Sequence, residues 1–504
     1  LELSSNDIEF FEKKGISIEN IKQQIAFIKK GQIYIELTGA ATLANGLISL
    51  DSLNHNTLIG YYEKARLAGQ IEKFVPASGA ASRMFQCISY FLQDFAVMTY
   101  QELLQLADTD KEIENLLLLF VNLEQLPFYS YLEHCFERQN LNFADAIANK
   151  NLKQIFDFLM TERGLGYQYK PKGLIPFHKY EHTSHNAFFE HLADAVIYCA
   201  DEFSTAKIHF TISEQYFEEI EYSLNKLLTD FSSYNFDINL SFQQDSTNMI
   251  SLDENGELVR LPNGEPLLRP AGHGALLNNL LLCKSDYIHL KNIDNVVPYN
   301  HNEELIIFRQ LMTGLLIELK TSINLVIESI ENGKQFERAI CNELIAKYFN
   351  IDSSSMANDE LFKLLNRPIR ICGMVKNEGE PGGGPFFVKR SNSLFQKQII
   401  EQAQVSETQK DIFKKGTHFN PVDIICSIKN HKGEQYNLYS FADNSMGIVL
   451  SKNYNGKKIQ IGELPGLWNG SMADWLTVFI EMPVSTFNPV KTVLDLLRDE
   501  HLVK

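Results

Sequence analysis

The sequence predicts an α/β protein: a mixed, mostly parallel sheet with helices on both faces, a large helical insertion and a strand-rich C-terminal part. Three observations predict it. Between Lys207 and Asp294, short apolar runs (KIHFTI, FDINLSFQQ, DYIHLKNID) alternate with the amphipathic run SEQYFEEIEYSLNKLL, as strands alternate with helices around a parallel sheet. From about 98 to 165 the apolar stripes LLQLADTD and IENLLLLFVNLEQL recur at helical spacing with no strand pattern between them. From Arg370 onward, strand-like runs are separated by glycine turns.

The elements follow in chain order. Ile18, Ile21, Ile25 and Ile28 lie at helical spacing and a second helical pattern runs from Leu53 to Ala68, so the first seventy residues read as mainly helical. IEKFVPASGAASRMFQCISYFLQDF then gives a short strand at Phe74 and Val75, a small-residue turn, and an amphipathic helix from about Ala81. NMISLDENGELVRL predicts a hairpin turning on Asn255-Gly256. HGALLNNLLL begins a helix, residues 302–366 form a further helical block, and a helix closes the chain after Pro489. The expected division is a helical segment over 1–70, a core over 71–369 with its insertion at about 98–165, and an α+β part over 370–504.

A chain of 504 residues is long enough for about two to four domains. Its formal charge of −17 disfavours nucleic acid and anionic membranes as partners, although a few bases can still make a local anion site. Seven scattered cysteines with no CxxC pair read as reduced thiols, not as a disulfide framework or a zinc site. The stretch LELSSNDIEFFEKKG lacks the apolar core of a signal peptide, and apolar runs such as Leu116 to Val121 are too short to span a bilayer. A cytoplasmic protein is expected.

Several stretches carry candidate chemistry. Pro76-Ala-Ser-Gly-Ala-Ala-Ser-Arg83 offers small residues that admit close backbone approach and a guanidinium suited to phosphate oxygens. Tyr169-Lys-Pro-Lys-Gly-Leu-Ile-Pro176 places Lys172 on a stiff loop. Arg269-Pro-Ala-Gly-His-Gly274 flanks His273 with Gly272 and Gly274 at a loop-to-helix junction. Lys291-Asn-Ile-Asp-Asn295 ends a strand with Asp294, at the sheet edge where ligands of α/β proteins bind and where an acid can hold Mg²⁺. Each has an ordinary alternative as a tight turn or a solvated loop.

In order along the chain, VPASGAASRM, YKPKGLIPF, HFTISEQ, INLSFQQ, RPAGHGALL and HLKNIDNVV resemble the signature series of the UDP-sugar pyrophosphorylases. These are the uridylyltransferases that act on hexose-1-phosphates and N-acetylhexosamine-1-phosphates. The resemblance covers about residues 70–300, and the whole chain also resembles an uncharacterised bacterial family. It implies a three-layer α/β/α nucleotide-diphospho-sugar transferase (GT-A-like) core. It further implies transfer of a nucleotidyl group from a nucleoside triphosphate, UTP favoured, to a sugar-1-phosphate with Mg²⁺. Arg83 and Lys172 match the catalytic bases of that pattern. Ser78, Gly79, Ala80 and Ser82 match its first loop, and Gln243 or Gln244 its strand glutamine. Gly272, His273 and Gly274 match its base-proximal loop, and Asp294 its metal-binding aspartate. The chain departs from the pattern where Ser78 and Ala81 replace glycines, each adding a Cβ, and where Lys172 follows Arg83 by 89 positions instead of closely. The insertion is therefore expected to fold outside the site and return the chain to it.

The C-terminal third adds Gly383 of a glycine turn and the bases Lys389 and Arg390 after it, able to cap a sugar phosphate, and Asp423 as a second metal ligand. Trp468, within LPGLWNGSMA, either stacks on a sugar or packs. Three other functions compete. His178, His182, His185 and His191 crowd into HKYEHTSHNAFFEH, as in a zinc hydrolase, though without HExxH order. The substituted first loop suits a non-catalytic nucleotide or NDP-sugar binding protein, and a processive glycosyltransferase is a third possibility on the same fold.

Overall fold

The structure, a computed structural model, describes residues 3–301, 303–379, 382–390 and 393–503. Glu380 and Pro381 of the glycine-rich turn at 379–386 lie outside the described residues. Two compact units are present, each built from three separate stretches. The first comprises Leu1–Phe74, Ser241–Leu290 and Phe308–Val484; the second comprises Val75–Leu240, Lys291–Ile307 and Ser485–Lys504. The contiguous division at about 70 and 370 therefore does not coincide with the units, because the chain passes between them at five points.

In the first unit the principal strands run in the order Leu47–Ser49, Leu476–Met482, Ile369–Lys376, Asp423–Ser427, Tyr287–Lys291, Ile71–Pro76. Leu476–Met482 is parallel to both its neighbours, Ile369–Lys376 is antiparallel to Asp423–Ser427, and Tyr287–Lys291 is parallel to Ile71–Pro76. The sheet is thus mixed, as expected. Its strands are apolar on both faces, as covered sheets require: Ile371, Cys372, Met374, Ile424, Cys426, Phe479 and Ile480 are all fully buried. The N-terminal helices Ser5–Lys13 and Ile18–Lys30 place Phe11, Ile21 and Ile28 in a cluster with Ile250 and Leu252 of strand Met249–Asp253. That strand turns at Asn255-Gly256, where Gly256 has φ +77 and Asp253 Oδ1 accepts the N–H groups of Asn255 and Glu257.

The second unit holds five helices between Tyr100 and Met160, whose buried faces supply Leu116, Leu119, Leu132, Phe136, Ile155 and Phe158. Beyond them, helix Ala187–Cys199, capped by Asn186, packs Phe188 edge-on against Phe210 of strand Thr205–Ile212. Strand Asn235–Phe242 lies beside that strand.

Three local expectations change. The element from Ala81 is a 3-10 turn, Ala81–Arg83, followed by an α-helix of only five residues, Gln86–Tyr90. HGALLNNLLL forms a 3-10 turn and the four-residue helix Leu277–Leu280. After Pro489 the chain makes the 3-10 turns Val493–Leu497 and Asp499–His501 instead of an α-helix, since Asp495 accepts the N–H groups of Lys491 and Thr492 and tightens the turn. One longer apolar segment also escapes the short-run expectation. Within helix Glu303–Glu331, the stretch Leu305–Glu331 is long and apolar enough by length and composition to cross a membrane. Half of its most apolar window is buried within the protein, and its Arg309 pairs with Asp423.

Candidate functional site

The second unit gathers four separated segments at one place. Its first loop follows strand Ile71–Pro76, and Ala77 N–H donates to Thr211 O at 2.8 Å. The chain then runs through the helical insertion and returns beside the same loop. Lys172 N–H donates to Gly79 O at 3.0 Å and Ala81 N–H to Lys170 O at 3.3 Å, an antiparallel bridge between Ala80 and Pro171. The third segment follows strand Tyr287–Lys291, with Ile293 N–H reaching Pro76 O at 3.4 Å. The fourth comes from the C-terminus: Asn295 bridges Pro489, and Val490 N–H donates to Asp294 O at 3.0 Å.

These backbone pairs bring Lys172 to Asp294. The ammonium donates to Asp294 Oδ2 at 2.8 Å and to Val490 O at 2.6 Å, and both side chains are largely but not wholly buried, 13% and 21% exposed. The first loop presents a different surface. Gly79, Ala80, Ser82 and Arg83 are exposed, and no acceptor is bonded to the N–H groups of Ser78, Gly79 or Ala80 among the described residues. Ser78 O accepts from Ser213 Oγ at 3.1 Å, which fixes the loop from beneath. Arg83 has no ion-pair partner among the described residues, so its guanidinium is available to an anion. Ala81, which stands where the resembled pattern has glycine, is fully buried. Helix Gln86–Tyr90, which runs on as a π turn over Phe91–Phe95, begins three residues after Arg83, so the donors within the loop are its own N–H groups and side chains.

The base-proximal candidates belong to the first unit. Gly272 has φ +75, and a Cβ on Gly274 would lie 2.0 Å from Pro465 O, so these two positions require glycine. The loop is locked against Leu464–Asn469. Leu464 N–H donates to Ala271 O, Leu467 N–H donates to His273 Nδ1 at 2.8 Å, and the His273 ring stacks on Trp468 with centroids 4.0 Å apart. Burial lowers the His273 pKa to about 4, which keeps Nδ1 a neutral acceptor. Trp468 therefore packs on His273. Gln243 and Gln244 follow strand Asn235–Phe242. The former donates to Thr247 Oγ1, and the latter accepts from Asn278 Nδ2 at 3.2 Å.

The remaining candidates have other employment. Asp423 is fully buried and holds an internal ion pair, accepting from His289 Nε2 at 2.7 Å and Arg309 Nε at 3.3 Å, so it is not an open metal ligand. Arg390 is divided between Asp443 at 3.0 Å and Asp474 at 2.8 Å, which makes it an internal cross-link. Lys389 is exposed beside Glu36 at 3.3 Å, and a Cβ on Gly383 would meet Ile399 at 3.0 Å. The four histidines do not converge. His178 uses both ring nitrogens, on Glu190 and His501; His182 is exposed; His185 stacks on Phe189; His191 Nε2 faces Ile293 O. No group of three or more His, Cys, Asp or Glu suited to a metal occurs among the described residues. The seven cysteines are unpaired, and six of them are buried.

Sequence reasoning missed Val490, which acts through its carbonyl and so leaves no side-chain signature, and Asn488, whose N–H ties the C-terminal segment to Asn295 beside Asp294 at 2.9 Å. It also missed Glu190, 1% exposed, whose carboxylate accepts from both His178 and Tyr180.

A search of curated proteins finds no match to the chain. Among solved structures it is similar to the uridine diphosphate N-acetylglucosamine pyrophosphorylase from Trypanosoma brucei, at 12% identity and TM-score 0.44, over 96% of this chain and 70% of that one. It is also similar to a UDP-glucose phosphorylase from Trypanosoma brucei, at 13% identity and TM-score 0.46, over 97% and 77%. The family described as Domain of unknown function (DUF4301) matches residues 4–502, and the chain belongs to that family.

Proposed function

We propose that the protein is a nucleotidyltransferase that joins a sugar-1-phosphate to a nucleoside triphosphate, UTP in preference, and releases pyrophosphate. The observation that carries this reading is the meeting of Lys172 with Asp294 at 2.8 Å, beside a loop whose N–H groups and Arg83 are open. An oxygen of the sugar phosphate attacks the α-phosphorus, and the bond from that phosphorus to the pyrophosphate oxygen breaks. Such a transfer asks little covalent work of a protein and depends on positioning and on neutralising crowded negative charge. Ser78, Gly79 and Ala80 offer N–H donors to the phosphates, Arg83 grips their oxygens, and Lys172 exchanges its carboxylate partner for a phosphoryl oxygen. Asp294, partly exposed and with its second oxygen free to bind, fits the mode in which one carboxylate and substrate phosphates hold Mg²⁺, an ion that would neutralise phosphate charge there.

A screen of the four triphosphates against sugar-1-phosphates, with Mg²⁺ and read by pyrophosphate release, tests the reading. Arg83→Ala and Lys172→Ala both turning over like the parent would remove it. One observation favours a non-catalytic nucleotide or NDP-sugar binding protein: the ammonium of Lys172 already has two partners, Asp294 and Val490. Tight triphosphate binding without pyrophosphate release from any pair of substrates would establish that alternative.

A further inference from the structure

The last twenty residues touch every loop that carries the candidate site in the second unit. Asn488 N–H donates to Asn295 Oδ1 at 2.9 Å. Val490 grips the next position from both sides, its N–H on Asp294 O at 3.0 Å and its carbonyl on the Lys172 ammonium at 2.6 Å. Val493 N–H donates at 2.9 Å to the carbonyl of Met84, the residue after Arg83. Three chain segments that bear Arg83, Lys172 and Asp294 are thus tied to one stretch of six residues.

That stretch is itself held at its far side. Asp495 Oδ2 accepts the N–H groups of Lys491 and Thr492 at 2.8 and 2.6 Å, and Val490, Val493 and Leu496 are buried. Further on, His501 is buried and stacks on His178, the two rings joined by a 2.9 Å hydrogen bond. His178 bonds through Nε2 to His501 Nδ1 and through Nδ1 to Glu190 Oε1 at 2.7 Å, and the Tyr180 hydroxyl donates to the same oxygen at 2.9 Å. Lys172 lies six positions before His178, so the chain that leaves the lysine loop is the one the C-terminal anchor grips.

We propose that the segment Ser485–Leu502 is a strap that positions Lys172, with the Val490 carbonyl as its working contact and His501 as a positioning residue that fixes it from a distance. The strap holds the ammonium in the pose from which it reaches a phosphoryl oxygen. This inference rests on the reading of Lys172 as a phosphate-binding base, but its test has a readout of its own.

The rate at which an amine-reactive acylating reagent modifies Lys172, mapped by peptide mass spectrometry on the full-length protein, reports how tightly the ammonium is held. In the parent, Lys172 is expected to react far more slowly than exposed Lys22. In His501→Phe and in Asp495→Asn, its rate should rise about fivefold or more, the loss of one net hydrogen bond, while Lys22 stays unchanged. Either variant suffices if the other fails to fold, a failure recognised by every buried lysine reacting at once. Unchanged Lys172 reactivity in a folded variant overturns the strap. Protection of the parent's Lys172 by UTP tests the phosphate reading separately. Protection with no variant effect leaves that reading standing and removes the strap, whereas a variant effect with no protection does the reverse.

Discussion

Replacing Lys172 by Met keeps most of the side-chain volume and removes the charge. At 2.8 Å, with an effective dielectric near 20, the ion pair with Asp294 is worth about 6 kcal/mol of gross attraction. Most of that is offset by the desolvation of two largely buried groups, so the net destabilisation expected is about 1–3 kcal/mol, from a carboxylate left without its cation. The effect on turnover is expected to be larger than the effect on stability. A base that neutralises charge in the transition state is worth about a hundred- to a thousand-fold in rate. Pyrophosphate release under saturating triphosphate, beside urea denaturation of the same preparation, separates the two effects. The double variant with Asp294→Asn should show a coupling of about 0.5–3 kcal/mol in stability, since each single change removes the same contact. A Lys172→Met protein that releases pyrophosphate at the parent rate would refute the role assigned to the lysine. Coupling energy near zero would refute the pairing itself.

Three further outcomes follow from the geometry. Gly274→Ala drives a methyl into Pro465 O, 2.0 Å away on rigid backbone, and should cost about 1–3 kcal/mol in urea denaturation; Gly79→Ala, with nothing within 4 Å, should stay within about 0.5 kcal/mol of the parent. Arg390→Met unpairs Asp443 and Asp474 and should cost about 3 kcal/mol while leaving triphosphate affinity unchanged, because the guanidinium is an internal cross-link. Stability should also fall as pH drops below 6.5. Burial lowers His289 to about 4 and His501 to about 3, so from 6.5 downward the unfolded chain takes up protons that the folded one does not, and stability falls by up to about 1.4 kcal/mol per pH unit for each. Above 6.5 two effects oppose each other. Burial lowers His178 to about 3 and raises Glu190 to about 8, so that folded pair retains one proton that the unfolded chain sheds; burial lowers Lys397 to about 7, so the folded chain sheds one that the unfolded chain keeps, and the profile should flatten toward 8. Urea midpoints between pH 4 and 8 check this, and a flat profile below 6.5 would contradict it.

Part of the candidate site's geometry was legible in sequence, because its residues sit on motifs of fixed order. Lys172 and Asp294 were named from a PKG segment and a strand-ending DN, and the structure pairs them across 122 positions. Gly272 and Gly274 were named as close-approach positions, and the structure gives each a reason for being glycine, a positive φ at the first and the Pro465 carbonyl against the second. Asp423 was misread because an acid inside a strand looks alike whether it faces a metal or an arginine. What decides is Arg309, 114 positions away, and His289, 134 away, and no local pattern carries that information. Arg390 failed for the same reason, since its partners Asp443 and Asp474 are remote in sequence. The strands and the helical insertion were readable from apolar spacing. The two units were not, because each is sewn from three stretches and composition does not change where the chain passes between them.

The 89-position spacing of Arg83 and Lys172, long beside the pyrophosphorylase pattern that the sequence resembles, has a physical resolution in how the two loops meet. Their contact is backbone to backbone, Lys172 N–H on Gly79 O and Ala81 N–H on Lys170 O, so it constrains conformation and not side-chain identity. A connection of any length can then be inserted between the loops, provided it folds by itself and delivers Pro171 beside Ala80. The five helices from Tyr100 to Met160 meet that condition through their own apolar core, and loop-closure entropy grows only slowly with the length added. The same logic accounts for the weakness of the first loop as a motif. On the proposed reading N–H groups do the holding there, so Ser78 and Ala80 can stand in place of other small residues, and the demand for a particular side chain falls on Arg83, Lys172 and Asp294.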